Sequence, residues 1–374
     1  MSAPAADRVI DLDVTRTVAL IGVVVMNYHG YLILKGGQIG TSEIDRFFDP
    51  WMGPLSTRFA ATFVMIAGMG ITLLTNRGRL GRDRARRSAD RWTLIRRGFL
   101  LYCFGFFMEW FWNGTILFFY GAFFMAGAAL FLLRTRWLIL IGGIAAIAAA
   151  ALQWWAYDTD HDTSWLFGGW YTSGPYRSPR RLAFDTFVNG THPLLPWLAF
   201  LCAGMVIGRY LPLRSELRRV LAALGVLLVT GTYFAEHVFA DTPLRSRLFA
   251  TDPFSRSLNY TICALGSSIA AFCVIGWIAY VTRSTRVTRA FAAAGRTTLT
   301  LYVLHVLVFN ALVNRWHVIR PAGLDVALAF AAGFWFIGII AAALWQRRFG
   351  IGPAEWLYRK FGGGTMPVLP TEPR

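Results

Sequence analysis

The chain has 374 residues, of which 56% are hydrophobic and only 15% are charged, and its formal net charge is +17 at pH 7. This balance excludes an ordinary soluble domain and is typical of a chain that crosses the membrane several times. The 37 Lys and Arg residues fall in short loops between apolar runs, as in multi-pass membrane proteins, which argues against a nucleic-acid-binding protein.

A helix needs about 20 apolar residues to cross the hydrocarbon core of a bilayer. By this measure the sequence predicts an all-α membrane protein with a transmembrane domain at 17–345, between a cytoplasmic N-terminus at 1–16 and a partly disordered cytoplasmic tail at 346–374. Ten transmembrane helices are predicted, at 17–34, 56–74, 98–112, 115–133, 137–155, 193–211, 219–239, 258–281, 297–312 and 323–345. The turn signal Asn113-Gly114 predicts that the third and fourth form a tight hairpin.

The loops on alternate sides of these helices differ in positive charge. If the N-terminus is cytoplasmic, the cytoplasmic segments hold 26 of the 37 Lys and Arg residues. Because short cytoplasmic loops carry the excess of positive charge, we expect both termini inside. Lys35 and Lys360 are the only lysines, an arginine bias typical of GC-rich bacteria, so we expect a bacterial cytoplasmic membrane and the lipid bilayer as a partner. The longest outer loop, 156–192, is long enough to be functional.

Polar side chains within the predicted helices are few, and such residues are candidates for function. In the first helix Arg16 and Asn27 are 11 residues apart, which places them about 20° apart around the axis and about 16 Å apart along it. They line one face, and Asp13 can pair with Arg16 one turn earlier. In a regular helix His29 points about 160° away from Asn27, so it turns inward only if the helix unwinds at Gly30.

The same residues carry a family resemblance. The stretch "RVIDLDVTRTVALIGVVVMNYHGYL" resembles the opening signature of the transmembrane acyltransferase superfamily, which includes heparan-alpha-glucosaminide N-acetyltransferase and YeiB-like membrane proteins and is related to acyltransferase-3. The stretches "HPLLPWLAFLCAGMVIGR" and "GRTTLTLYVLHVLVF" agree, and the resemblance covers about residues 8–345. It implies transfer of an acyl group, acetyl first of all, from cytoplasmic acyl-CoA to a hydroxyl or amine of a sugar or glycolipid acceptor on the other side.

The resemblance leaves the catalytic base open. The family's essential histidine falls by spacing on Gln38, and that of acyltransferase-3 falls on Asn27. A neutral histidine suits a general base that takes a proton from the acceptor, and an asparagine can orient the base or the thioester. The candidate catalytic residues are therefore Asn27, His29, His192 and His305.

Arginines at the cytoplasmic ends of helices are candidates for binding the donor. A guanidinium binds phosphate through two parallel hydrogen bonds, so we expect Arg16 and Arg296 to hold the phosphates of CoA. No metal is implied, and a homo-oligomer stays open.

Each site residue also has an ordinary structural explanation. His29 can be a wetted histidine at a helix end, His192 a helix-start residue and His305 a buried histidine with one hydrogen bond. Asn27 can be a packing amide between helices, and topology alone can place Arg16 and Arg296. Two other functions stay open for the whole chain. One is a lipid or solute transporter or flippase, although the repeated halves common in transporters are not evident. The other is a non-catalytic subunit of an envelope assembly.

Overall fold

The computed structural model describes residues 10–81, 83–158 and 179–363. All regular secondary structure in these three ranges is helical, which confirms the predicted all-α class. Arg8, most of the predicted outer loop and the end of the predicted tail lie outside the described residues.

Fifteen α-helices follow one another in the described part of the chain. They are α1 (Ile10–Leu34), α2 (Glu43–Phe47), α3 (Arg58–Leu80), α4 (Arg84–Met108), α5 (Leu117–Leu130), α6 (Thr135–Asp158), α7 (Pro179–Phe184), α8 (Leu194–Ile207), α9 (Ser215–Phe239), α10 (Pro243–Phe249), α11 (Leu258–Val281), α12 (Arg286–Gly295), α13 (Thr298–Phe309), α14 (Leu324–Phe349) and α15 (Pro353–Phe361). A π-helical segment, Asn310–Arg315, continues α13.

Seven of these helices are long and apolar enough to cross a membrane: α1, α3, α6, α9, α11, α14, and α13 with its π-helical extension. The chain is therefore a multi-pass membrane protein. Two of the other predicted crossings correspond to the shorter apolar helices α5 and α8. The remaining one forms the second half of α4, whose first half is rich in arginine. The total of ten crossings and the orientation of the termini stay predictions.

Helix α1 lies in the middle of the bundle, where it packs against α3, α11, α12, α13 and α14. Leu20, Val24, Tyr28 and Leu32 recur every four residues along it and are buried, so they form one face of a regular helix. The helix continues without a break through Gly30 to Leu34. The unwinding that would turn His29 inward is therefore not observed.

Helices α4 and α5 form the predicted hairpin. The chain turns at Gly114, whose φ of +79° is a left-handed conformation that favours glycine. The two helices approach so closely that a Cβ atom on Gly105 would overlap the backbone of Phe118. Glu109, at the end of α4, is buried, and its carboxylate accepts hydrogen bonds from the Gly114 N–H (2.6 Å) and the Thr115 N–H (3.2 Å). Small residues and this carboxylate therefore hold the turn in one position.

The first part of the predicted tail folds back as α15, which packs against α4 and α13. Its Glu355 carboxylate accepts hydrogen bonds from the Leu299 N–H (2.6 Å), the Thr300 N–H (3.2 Å) and the Thr300 hydroxyl (2.6 Å). The first N–H groups of a helix have no partner within the helix, so Glu355 caps α13 from outside. Burial raises the pKa of the Glu355 carboxyl.

Candidate functional site

A cavity of about 790 Å³ opens at the end of the bundle where α1 and α4 finish and α3 and α5 begin. Its wall combines aromatic rings with amides and one imidazole, including Tyr31, Trp112, Asn27, Asn310 and His192. This volume lies within the usual range for small-molecule sites, and so does a mainly apolar wall with a few polar groups. We call this cavity the chamber.

Asn27 on α1 and His305 on α13 form a hydrogen-bonded pair at the chamber wall. The Nδ1 atom of His305 contacts the Tyr302 carbonyl oxygen, which can only accept a hydrogen bond, so Nδ1 carries the proton. The other ring nitrogen, Nε2, is then unprotonated, and its lone pair accepts a hydrogen bond from the Asn27 amide at 3.2 Å. His305 is fully buried, whereas Asn27 lines the chamber. The pair therefore presents a proton-accepting nitrogen one side chain away from the cavity.

Neighbouring aromatic groups fix the position of this histidine. The indole of Trp112 lies edge-on to the His305 ring, with 5.4 Å between the ring centroids. The Tyr28 hydroxyl donates to the His305 carbonyl oxygen at 3.1 Å, which ties α1 to α13. The Tyr302 hydroxyl lies 3.0 Å from the Thr115 hydroxyl, which ties α13 to the α4–α5 turn. These contacts keep the imidazole in one orientation, as a catalytic group requires.

His192 also lines the chamber. Its ring lies edge-on to Trp197, with centroids 4.6 Å apart, and 5.7 Å from Phe119. Its Nδ1 atom is buried and has no hydrogen-bond partner among the described residues. His192 thus lines the same cavity as Asn27, and its predicted catalytic role stays a prediction.

His29 lies elsewhere. It is fully buried and is not among the residues that line the chamber. Because α1 stays regular through Gly30, the His29 ring points away from Asn27. Its Nδ1–H donates to the Phe48 carbonyl oxygen at 2.8 Å. The structure therefore joins His29 to the segment between α2 and α3, which supplies Pro50 and Trp51 to the chamber wall, and not to the Asn27–His305 pair.

The predicted donor-binding arginines lie at the opposite end of the bundle. Arg16 pairs with Asp13 as predicted, with 3.3 Å between Nη1 and Oδ1, and its side chain is 27% exposed. Tyr358 of α15 lies near both Arg97 and Arg16. The Arg97 guanidinium is 5.0 Å from the centroid of the Tyr358 ring. Arg296 follows Gly295, which packs against the Asp13 backbone, and its buried Nε has no hydrogen-bond partner in the described part of the chain. We call Arg16, Arg97 and Arg296 the arginine cluster.

Sequence reasoning missed Trp112 and Tyr302. Trp112 belongs to the third predicted helix, whose aromatic residues look like core or lipid-facing groups. One signal was present for Tyr302, which is three residues before His305 and therefore lies on the same face of α13. For Trp112 no local signal exists, because the α4–α5 turn brings it to His305. Among residues 10–81, 83–158 and 179–363, no group of three or more His, Cys, Asp or Glu side chains could hold a metal ion.

The fold and the site define a multi-pass helical membrane protein with a polar chamber at one end and a buried Asn–His pair beside it. The family model described as heparan-alpha-glucosaminide N-acetyltransferase, catalytic, matches residues 8–231. The chain belongs to this family, which confirms the resemblance found in the sequence and makes it a membrane acetyltransferase-like protein.

Two further comparisons include the C-terminal part of the chain. A family model described as a protein of unknown function (DUF418) matches residues 210–364. The Escherichia coli (strain K12) protein YeiB, described as uncharacterized, is 24% identical to this chain over an alignment of 390 positions. The alignment covers 95% of this chain and 96% of YeiB. Asn27 lies within the first matched region and His305 within the second, so the hydrogen-bonded pair joins the two regions.

Proposed function

We propose that the protein is a membrane acyltransferase that moves an acetyl group from acetyl-CoA to a hydroxyl or amine of a sugar or glycolipid in the chamber. The observation that carries this proposal is the Asn27–His305 pair, in which the unprotonated Nε2 of the imidazole accepts from the Asn27 amide beside the cavity. Membership of an acetyltransferase family supports the reaction class. We place the protein in the bacterial cytoplasmic membrane, with the chamber on the outer side, in keeping with its charge distribution.

His305 is the general base in this proposal. The acceptor oxygen or nitrogen attacks the thioester carbonyl carbon and forms the new acyl bond, while its proton passes to Nε2 of His305. The C–S bond then breaks, and the CoA thiolate takes the proton from the imidazolium to become the free thiol. General-base catalysis contributes about 10²–10⁴-fold in rate. Holding both substrates in one site supplies much of the remainder.

Asn27 has two successive partners in this scheme. In the free protein its amide donates to His305 Nε2. When the acceptor occupies that nitrogen, the amide donates to the carbonyl oxygen of the thioester, where negative charge develops in the transition state. Asn27 suits both roles because its side chain contacts the base and also lines the chamber.

The arginine cluster binds the donor nucleotide in our proposal. Three guanidinium groups at one end of the bundle offer paired N–H donors that match phosphate oxygens. The ion pair between Arg16 and Asp13 keeps the Arg16 guanidinium in place before the donor arrives. Acetyl-CoA then enters from the cytoplasm at the arginine cluster, and its thioester reaches the chamber through the bundle.

A comparison of envelope glycolipids and polysaccharides by mass, between a wild-type strain and a deletion strain, tests this function. We expect one class of glycan to lose the mass of an acetyl group on deletion and to regain it with the wild-type gene but not with a His305→Ala gene. Unchanged glycans, together with counterflow of a labelled lipid in vesicles without acetyl-CoA, would instead identify a transporter.

A further inference from the structure

A second cavity, of about 370 Å³, adjoins the chamber. The two cavities share Phe254, and Met52 of the second follows Trp51 of the first. The end of α6, helix α10 and the segment 250–257 form the remaining wall. The two cavities are therefore neighbours, and we call the second one the side cavity.

The side cavity is lined by polar groups that have no hydrogen-bond partner among the described residues. The Gln153 amide and the Ser246 hydroxyl make no hydrogen bond to any described residue. Asp252 uses one carboxylate oxygen, Oδ1, to accept from the N–H groups of Phe254 and Ser255, both at 2.9 Å. These two bonds fix the carboxylate, while its other oxygen, Oδ2, makes no hydrogen bond within the described part of the chain. These three polar groups and the charged side chain of Arg247 thus line one small cavity.

An aromatic ring completes the wall. Trp154 lines the side cavity and is 47% exposed, and its indole makes no ring contact with the described residues. A pyranose ring has an apolar C–H face that packs on an indole, and hydroxyls that both donate and accept hydrogen bonds. An amide, a carboxylate and a hydroxyl beside an exposed tryptophan offer the matching groups. An acyl chain in the same place would leave these polar groups unpaired at a cost of free energy.

We propose that the side cavity binds a saccharide unit of the acceptor, next to the unit that enters the chamber. This inference rests on the proposed function and narrows its substrate class to a glycan or glycolipid head of at least two sugar units. Trp154 packs against the sugar face, and Gln153, Ser246 and Asp252 bind its hydroxyls.

Binding of the purified full-length chain to immobilised saccharides tests the inference without acetyl-CoA. The probes are mono-, di-, tri- and tetrasaccharides of glucose, glucosamine and N-acetylglucosamine. For at least one series we expect the wild type to bind the disaccharide about tenfold more tightly than the monosaccharide, the effect of about 1.4 kcal/mol of added contact. Trp154→Ala and Gln153→Ala should abolish this preference. Both side chains lack partners in the described structure, so both variants should fold.

The matched control is Trp277→Ala, which removes a tryptophan of α11 that is 57% exposed and lies in neither cavity. It should keep the wild-type preference. Equal affinity for mono- and disaccharides in the wild type, no binding to any saccharide, a preference that survives in Trp154→Ala, or a preference lost equally in Trp277→Ala would each overturn the inference.

A second arm separates this inference from the proposed function. CoA thiol release from acetyl-CoA with an envelope glycolipid extract reports on acyl transfer. Thiol release without any chain-length preference would support the acyltransferase function and contradict the assignment of the side cavity as a saccharide site. A chain-length preference without thiol release would do the reverse, because the saccharide site would then belong to a binding or transport protein.

Discussion

Replacing Glu355 by alanine tests whether the C-terminal helix supports the candidate site. The Glu355 carboxylate accepts three hydrogen bonds from Leu299 and Thr300 at the start of α13, the helix that carries Tyr302 and His305. Losing a helix cap costs about 1–2 kcal/mol. We therefore expect Glu355→Ala to lower the melting temperature in detergent by roughly 2–6 °C.

A thiol-reactive dye is a suitable probe for this melting experiment. Cys202, Cys263 and Cys273 are buried and free, so they react only as the bundle opens. Glu43→Ala is the matched control, because that side chain is 88% exposed on α2. If Glu355→Ala melted at the same temperature as Glu43→Ala, the cap would contribute nothing and the reasoning would be refuted.

Glu355→Gln adds a pH test of the same cap. Because burial raises the pKa of Glu355, the folded protein holds the carboxyl proton more tightly than the unfolded chain does. This contribution to stability is complete below the ordinary carboxyl pKa and is lost as the pH rises through the raised folded pKa. Glutamine keeps the shape of the protonated group, so the variant should lack this part of the pH dependence. An unchanged slope of melting temperature against pH would contradict the burial argument.

Three further substitutions test the site. Asn27→Ala removes one hydrogen bond of about 1 kcal/mol from the base, so kcat should fall by at least about fivefold in single-turnover measurements; an unchanged kcat would exclude Asn27 from the site. Arg16→Gln should raise the KM for acetyl-CoA about tenfold with little change in kcat, as for a lost donor contact, whereas Arg46→Gln on the exposed helix α2 should not. His29→Ala should lower the melting temperature, since the bond to the Phe48 carbonyl is lost, but should keep kcat within about twofold of the wild type; a hundredfold loss would restore His29 as the base.

The helices could be predicted from the sequence because the bilayer sets their length. Each of the ten predicted crossings overlaps a helix, and most predicted ends lie within a few residues of the observed ones. The largest difference is at the arginine-rich start of α4. The hairpin at Asn113-Gly114 was equally predictable, since its turn needs a left-handed residue. Helix α15 was not predicted, because it is short and follows a glycine-capped end, and its burial depends on Glu355 contacting a helix more than 50 residues earlier.

The candidate site was predicted only in part. Helical geometry correctly directed His29 away from Asn27, because α1 stays regular. The pairing of Asn27 with His305, 278 residues apart, depends on α13 packing against α1, and no local pattern encodes that contact. Residues on one helix could thus be related by spacing, whereas relations between helices required the packed bundle.

The most direct test of the account is the release of CoA thiol by purified protein in lipid vesicles, given acetyl-CoA and an envelope glycolipid extract. The wild type should release thiol only when the extract is present. His305→Ala should release it about 10²–10⁴-fold more slowly, while His237→Ala, at an exposed position near the end of α9, should match the wild type. Thiol release by His305→Ala at the wild-type rate would contradict the assignment of His305 as the base, and no acceptor-dependent release by the wild type would contradict the acyltransferase itself.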